Sequence, residues 1–270
     1  MKKIKVGIIG CGTIGTEIAL ACRKDFKSKT EVVCLSDKDS TRVEILKRRL
    51  GNKPRSCGID ELIAKSDLVI EAATSAIVKT VVSECLKKRK DAMIMSVGGL
   101  FGQRAFMRSI EFSRSRVYLP SGAICGLDGI KAASLASIHS IRLTTRKPPA
   151  SLKGAPYIIE KKIDLNDIKE ETVIFEGTAG EAVKAFPQNI NVASLLGLAS
   201  GRERIVHVRI ITSPLFTTNI HEVEVESDCG TILTKTENVP SKHNPKTSRL
   251  AVLSAIATLR GIVSRVRIGT

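Results

Sequence analysis

The chain begins with an apolar run that changes abruptly into a glycine-rich segment. Val6–Ile9 is uninterrupted by polar residues, a pattern typical of a strand buried on both faces. It leads directly into a G-x-G-x-x-G at 10–15 and then into a segment with helical spacing, which we predict as a helix over 16–26. A strand, a glycine loop and a helix in this order predict a βα unit in which the glycines lie at the start of the helix.

Apolar runs continue to alternate with helical segments as far as residue 120. Further strands are predicted at 31–37, 67–73, 91–97 and 116–120. The segments between them predict helices at 43–50, 60–64, 75–88 and 101–112. Such alternation predicts an α/β fold in which helices cover both faces of a doubly wound parallel sheet, a Rossmann domain over 1–120.

The pattern changes after Pro120 to strands that alternate apolar and polar residues, as in 221–226. Strands are predicted at 140–146, 171–176, 205–212 and 220–226, and helices at 130–136, 180–185 and 192–198. Alternation suits a sheet with one exposed face, so 121–245 predicts a second, α+β domain. An amphipathic helix at 248–260 is predicted to return to the first domain, which makes 246–270 a C-terminal segment of its own.

The glycines have separate physical tasks if the loop binds a dinucleotide. Gly10 permits a tight turn, Gly12 lets the backbone approach a pyrophosphate, and Gly15 lets the helix pack closely on the strand. The free amides at the start of the helix then offer donors at the positive end of the helix dipole, and we expect Thr13 and Ile14 to contact the cofactor with the glycines. An ordinary glycine loop is the alternative to this interpretation.

An acidic residue at the end of the second predicted strand is a further element of the dinucleotide pattern. Asp37 follows the last glycine by twenty-two residues, near the ~20 expected for a carboxylate that binds the ribose 2′-hydroxyl. A carboxylate there repels the 2′-phosphate of NADP, whereas Lys38 and Arg42 attract it. NAD is therefore the favoured cofactor and NADP stays open. The loops at 73–75 and 96–99 are expected to form further walls of the cofactor site.

Composition excludes several classes of protein. The chain has 270 residues, of which 43% are apolar and 26% charged, as in ordinary globular proteins large enough for two domains. No apolar run approaches the ~20 residues that span a bilayer, and no signal-peptide cleavage site follows the first apolar stretch. The seven cysteines are scattered and form no C-x-x-C pair. They predict reduced thiols in a cytoplasmic protein.

The strongly basic charge raises nucleic-acid binding as an alternative. The formal net charge is +16, but only 3% of the residues are aromatic and none is tryptophan, so stacking platforms for bases are scarce. Basic residues are spread along the chain, apart from one short run at 87–90 that is typical of a solvated helix end. Positive potential equally attracts a dianionic metabolite or a pyrophosphate cofactor, so we expect no nucleic-acid partner.

Four histidines are candidate general acids or bases, since imidazole titrates near pH ~6.5. His139 and His207 lie on predicted strands or bends, where surface or packing roles are the simpler interpretation. His221 and His243 are equivalent candidates on spacing alone. No pair has the spacing of metal ligands, so we predict no metal.

Loops of the second domain carry three polar clusters, at 144–149, 186–193 and 244–248. Binding residues concentrate in such loops. The third cluster immediately precedes the last predicted helix, whose N-terminus would offer donors to a carboxylate. A simple N-cap by Thr247 or Ser248 is an alternative that is compatible with binding.

Several of these segments together resemble the L-aspartate dehydrogenase family, and the similarity covers almost the whole chain. Its most specific parts are 119–129, 144–149, 175–194, 219–223 and 244–248. The resemblance implies that Ala123 and Asn189 line the nicotinamide end of the cofactor site. It also implies that His221 is the active-site histidine, which decides between His221 and His243. Members of the family form homodimers through a second domain that also binds substrate.

The implied reaction converts L-aspartate, NAD(P) and water to oxaloacetate and ammonia through iminoaspartate, the first step toward quinolinate and NAD. The product could then pass to quinolinate synthase. His221 would take a proton from the substrate ammonium or from the attacking water. Related two-domain enzymes, acting on homoserine or dihydrodipicolinate, are the nearest alternatives. A nucleotide-sensing protein without catalysis is another.

Two carboxylates of the substrate need cations or helix-end donors. Lys246, Thr247 and Ser248 are the first candidates for these contacts. Arg146 and Lys147 are the second.

Overall fold

The computed structural model describes residues 2–187, 191–241 and 244–269, without the side chains of Pro245 and Lys246. The chain divides into two compact units. One comprises the residues up to Pro120 together with Val252–Arg267, and the other comprises Ser121–Ala251 with the last residues from Ile268. In the part of the chain that is described, no helix combines the length and apolar character needed to cross a membrane.

The first unit is built on a six-stranded parallel sheet. Its strands are β1 (Ile4–Ile9), β2 (Thr30–Ser36), β3 (Arg55–Ser56), β4 (Leu68–Glu71), β5 (Asp91–Ile94) and β6 (Val117–Tyr118). The helices between them are α1 (Thr13–Lys24), α2 (Ser40–Arg49), α3 (Ile59–Lys65), α4 (Ser75–Lys87) and α5 (Arg104–Glu111). The strand order β3-β2-β1-β4-β5-β6 is that of a Rossmann fold. The predicted doubly wound sheet is therefore confirmed.

The second unit is built on a five-stranded mixed sheet. With the strands numbered in chain order, as given next, the order within the sheet is β11-β10-β7-β9-β8. Its strands are β7 (Ile138–Lys147), β8 (Thr172–Thr178), β9 (Val206–Thr212), β10 (Asn219–Ser227), β11 (Gly230–Asn238), β12 (Pro240–Ser241) and β13 (Asn244–Ser248). Its helices are α6 (Leu127–Ala133), α7 (Pro156–Glu160), α8 (Ala179–Ala185) and α9 (Asn191–Ser200). Within the sheet, β7 and β9 are parallel and the other neighbours antiparallel. The predicted α+β character of this half is confirmed.

The last helix, α10 (Arg249–Val263), contributes to the core of the first unit. Its buried Ala255 and Leu259 belong to the same apolar cluster as Val6 of β1 and Ile18 of α1. The predicted return of the C-terminal helix to the first domain is thus confirmed.

Several short elements differ from the sequence prediction. The pattern did not predict β3, α7 or β11–β13, because each is short or lacks a continuous apolar face. Residues 244–248, expected as a polar loop before the last helix, form β13, which pairs with β12 and leads directly into α10. Helix α1 begins at Thr13, three residues before the predicted start, so the helix includes the end of the glycine motif.

Glu71, the last residue of β4, is a completely buried carboxylate. It accepts hydrogen bonds from the Ala73 amide (2.8 Å), from the Ser96 amide (3.0 Å) and from the Ser96 hydroxyl (2.9 Å). Burial raises the pKa of Glu71, and these hydrogen bonds oppose the rise. The side chain therefore joins the loops that follow β4 and β5, the two loops predicted to form walls of the cofactor site.

Candidate active site

Packing within the protein requires glycine at two positions of the loop between β1 and α1. Gly10 has a φ of +94°, and a Cβ there would collide with the carbonyl of Ala72. A Cβ on Gly15 would collide with the carbonyl oxygen of Gly10. Both positions therefore match the tight turn and the close helix–strand approach that the motif predicts.

Gly12 differs from the other two glycines because the protein itself leaves room for a side chain there. Its φ is −74°, which any residue adopts, and a Cβ would approach only the Arg42 guanidinium, at 4.0 Å, among the described atoms. Gly12 also precedes α1 without capping it through a side chain, so the first-turn amides of Thr13 and Ile14 suit an external acceptor. An open cradle in front of a helix N-terminus fits a pyrophosphate.

Asp37 lies beside this loop and helps to fix its shape. Its carboxylate accepts hydrogen bonds from the Cys11 amide (2.7 Å) and from the Asp39 amide (2.9 Å). Arg42 forms an ion pair with Asp39 (3.3 Å). The first unit therefore brings the predicted glycine-loop residues and Asp37 together, with Arg42 as a cation at the same place.

In the second unit, His221 lies on the second strand from one edge of the mixed sheet. It occupies β10 and pairs in register with Thr145 of β7 and Thr236 of β11. The residue is 5% exposed, and its Nδ1 shares a hydrogen bond with the Thr145 hydroxyl (3.0 Å). Burial, and secondly the nearby Lys147 charge, lower the pKa of His221 to about 3. The imidazole is therefore neutral at physiological pH and can accept a proton.

The structure separates the two adjacent cations at the end of β7. Lys147 lies two residues beyond Thr145, on the same face of the sheet as His221, and is 7% exposed. Burial lowers the pKa of Lys147 to about 8. Arg146 projects from the other face, where it forms ion pairs with Glu222 (3.4 Å) and Glu171 (3.6 Å).

A polar network around Asn238 connects two of the predicted site residues. The carbonyl of Ala123 accepts hydrogen bonds from the Thr236 hydroxyl (2.8 Å) and from the Asn238 amide group (3.0 Å). The Asn238 carbonyl oxygen accepts a third, from the Ser248 hydroxyl (2.6 Å). The sequence pattern does not reveal Asn238, because this residue ends a strand that the pattern does not predict. The side chain is only 2% exposed, and this burial, which marks Asn238 as part of the network, is visible only in the folded structure.

The remaining residues that the sequence proposed for the site lie outside the described residues, at half-buried positions or on the surface. Asn189 and His243 lie outside the described residues, as does the side chain of Lys246. Thr247 is half-buried on β13. His139 and His207 are exposed. No group of histidine, cysteine, aspartate and glutamate in the described ranges could hold a metal ion.

A Rossmann sheet with a complete glycine motif, followed by an α+β unit with a buried neutral histidine, defines the class of two-domain nicotinamide-dependent dehydrogenases. The family model of the aspartate dehydrogenase C-terminal domain matches residues 128–262. The family model of the homoserine dehydrogenase NAD-binding domain matches residues 10–118. The chain belongs to the aspartate dehydrogenase family.

Individual relatives agree with this assignment. The L-aspartate dehydrogenase of Methanosarcina barkeri is 46% identical over 272 residues, which cover 99% of this chain and 100% of that protein. The L-aspartate dehydrogenase of Nitrosopumilus maritimus is 40% identical, with coverage of 98% and 99%. The crystal structure of aspartate dehydrogenase from Thermotoga maritima matches with a TM-score of 0.79 at 30% identity, over 99% of this chain and 100% of that one.

The burial of His221 is expected to make the stability of the protein depend on pH. Its pKa is about 3 when folded against 6.5 for the free group, so between these values the unfolded chain binds a proton that the folded chain does not. The free energy of unfolding should therefore decrease as the pH falls through this window, by up to about 1.4 kcal/mol per unit from this residue. Urea unfolding of wild type and His221→Gln at about pH 7 and about pH 5 measures the contribution. A difference between the two proteins that stays constant with pH would contradict it.

Proposed function

We propose that this protein is an NAD(P)-dependent L-aspartate dehydrogenase, which oxidises L-aspartate to iminoaspartate. The observation that carries the proposal is the buried neutral His221, a proton acceptor on β10 of the mixed sheet in a chain of this family. The C-terminal family model supports aspartate over homoserine, because the model that matches the first unit describes only a NAD-binding domain.

The cofactor would be bound by the cradle described in the first unit. We assign it to the glycine-loop residues and the ribose carboxylate, namely Gly10, Gly12, Thr13, Ile14, Gly15 and Asp37. Ala123 and Asn189 are assigned to the nicotinamide end, and the two hydrogen bonds to the Ala123 carbonyl support a fixed backbone there. When bound, NAD supplies the chemistry that this chain lacks, the acceptance of a hydride from the substrate α-carbon.

His221 would act as the general base. The substrate enters as an ammonium, and loss of the α-hydride with one proton from the nitrogen leaves iminoaspartate in its protonated form. We assign that proton to the imidazole of His221, whose bond to the Thr145 hydroxyl fixes the orientation of the ring. Water then adds to the imine carbon, and departure of ammonia yields oxaloacetate.

The substrate carboxylates are assigned to the segment before the last helix. Lys246, Thr247 and Ser248 remain the proposed contacts, and half-burial of Thr247 is compatible with this role. The Ser248 hydroxyl proton is already used in the bond to Asn238. Ser248 therefore contributes by holding β13 in place or by accepting a hydrogen bond.

The cellular setting follows from the family resemblance. We propose a cytoplasmic homodimer that feeds quinolinate and NAD biosynthesis, with quinolinate synthase as the recipient of iminoaspartate. Seven free cysteines, four of them buried with the rest partly or fully exposed, support a reducing compartment.

The direct test is the steady-state appearance of reduced cofactor when L-aspartate is mixed with NAD or NADP. Turnover with L-aspartate, and none with L-homoserine, is expected. The reverse assay with oxaloacetate and ammonia should consume reduced cofactor. Turnover with homoserine alone would replace the proposal by the homoserine enzyme.

Asp37→Ala is expected to raise KM for NAD more than KM for NADP. The wild-type carboxylate accepts a hydrogen bond from a 2′-hydroxyl and repels a 2′-phosphate, so its removal costs about tenfold for NAD alone. Arg42→Ala is the mirror variant, expected to raise KM for NADP instead, because its guanidinium lies beside the loop. Equal changes for both cofactors in the Asp37 variant would show that this carboxylate does not contact the 2′ position.

A further inference from the structure

Two ionisable side chains share the buried face at one end of the mixed sheet. His221 on β10 and Lys147 on β7 are 5% and 7% exposed. The strand register places His221 opposite Thr145, and Lys147 follows two residues further along the same face. The polar groups on this face of the neighbouring strands include Thr145 and Lys147 from β7 and Thr236 and Asn238 from β11. Of these only Lys147 carries a charge.

The position of this cation is costly to the fold. Taking an ammonium out of water is unfavourable, and burial lowers the pKa of Lys147 to about 8. Most of the lysine is nevertheless charged at neutral pH. Ionisable groups with perturbed pKa values that lie together mark a candidate functional site, and a cation at such a site attracts an anionic ligand.

The adjacent Arg146 lies in a different environment from Lys147. Its guanidinium lies on the opposite face and is engaged by the carboxylates of Glu222 and Glu171. Arg142, four residues earlier on β7, is likewise on the outer face and pairs with Glu224 at 2.9 Å. The Arg142 pair is exposed to solvent and of the kind that contributes little to stability, whereas Arg146 is partly buried with its charge already engaged.

We propose that Lys147 binds a carboxylate of the substrate and that this contact both selects a dicarboxylic amino acid and prepares His221 to accept a proton. The inference deepens the proposed function and rests on it. Lys147, a second candidate on sequence alone, becomes the principal cation for the substrate. Arg146, the other second candidate, is not part of the site.

The coupling between the two residues follows from electrostatics. Burial is the main cause of the low basicity of His221, and with no anion present the Lys147 charge opposes protonation of the imidazole further. A carboxylate seated on Lys147 cancels that charge and adds a negative one nearby, so the basicity of His221 rises when the correct substrate is bound. The base is therefore strengthened by the same contact that recognises the substrate.

The proposal is tested with Lys147→Met, Lys147→Arg and the control Arg142→Met, which removes an exposed cation from the same strand. Lys147→Met is expected to raise KM for L-aspartate by about 100-fold, within the range for loss of a buried charged contact, with KM for NAD unchanged. Lys147→Arg should restore part of the loss, because it retains the charge. The melting temperature of each variant is measured alongside, to show that the fold is retained.

The pH profiles supply a readout that a merely structural role would not move. The pH profile of kcat reports the pKa of His221 in the substrate complex, and the profile of kcat/KM reports it in the free enzyme. In wild type the pKa from kcat should be the higher of the two. In Lys147→Met the two values should converge. Unchanged KM together with unchanged profiles would overturn the proposal.

Binding of succinate, measured by calorimetry on the wild type and the same variants, separates this proposal from the proposed function. Succinate carries two carboxylates and no oxidisable amine, so its binding requires no turnover. Loss of succinate binding in Lys147→Met without any wild-type oxidation of aspartate would support the anion site and contradict the dehydrogenase assignment. Equal succinate affinity in wild type and Lys147→Met would contradict the role of Lys147 whatever the activity.

Discussion

His221→Ala is expected to lower kcat for L-aspartate by about 10²–10⁴-fold, the usual cost of losing a general acid or base. The reason lies in the environment of the ring, which is buried, neutral and held by the Thr145 hydroxyl. The dissociation constant for NAD should stay close to that of wild type, because the glycine loop and Asp37 belong to the other unit. Stopped-flow or steady-state turnover, combined with nucleotide titration, measures both quantities.

His207→Ala is the matched control for this experiment. It removes an imidazole from the same sheet, on β9, where the side chain is exposed. Its turnover should match that of wild type. Near-normal kcat in His221→Ala would remove His221 from the chemistry and reopen the role of His243.

Gly12→Ala and Gly15→Ala are expected to fail in different ways. At Gly12 the structure has space for a methyl group and a φ of −74°. The variant should therefore fold normally and bind NAD at least about tenfold more weakly, which corresponds to about 1.4 kcal/mol. At Gly15 the methyl group meets the Gly10 carbonyl. That variant should lose about 2 kcal/mol or more of folding stability, since neither backbone can move freely.

Thermal melts and NAD titrations of the two variants distinguish these outcomes. A lower melting temperature with unchanged NAD affinity in Gly12→Ala would show that glycine is needed there for the fold rather than for a ligand. A fully stable Gly15→Ala would show that the helix and strand can separate without cost. Gly58→Ala provides a control without a steric clash, because an added Cβ there would meet no described atom within 4 Å.

The first half of the fold was predictable because its signals are local. Buried parallel strands show continuous apolar runs, and the glycine motif places the first turn without knowledge of any distant residue. The second half was predictable where strands alternate. Strand β11 was not predictable, because it is an edge strand whose only adjacent apolar residues are Ile232 and Leu233. It is recognised by its pairing with β10 and not by its own sequence pattern.

In the candidate site, too, the sequence does not predict features that depend on distant residues. Arg146 and Lys147 are neighbours of similar chemistry, and nothing in their sequence tells which one is buried. The pairing of β7 with β10 decides it, because a shift of one residue would exchange their faces. Asn238 was likewise invisible, since its partners Ala123 and Ser248 lie more than a hundred residues before it and ten after it.

The buried carboxylate of Glu71 has a consequence for motion in the first unit. It accepts hydrogen bonds from amides on both Ala73 and Ser96, so neither loop can open without exposing the shared acceptor. The two amides should therefore exchange with solvent deuterium in a single cooperative event rather than independently. Two loops that are twenty-odd residues apart in the chain would then behave as one dynamic element.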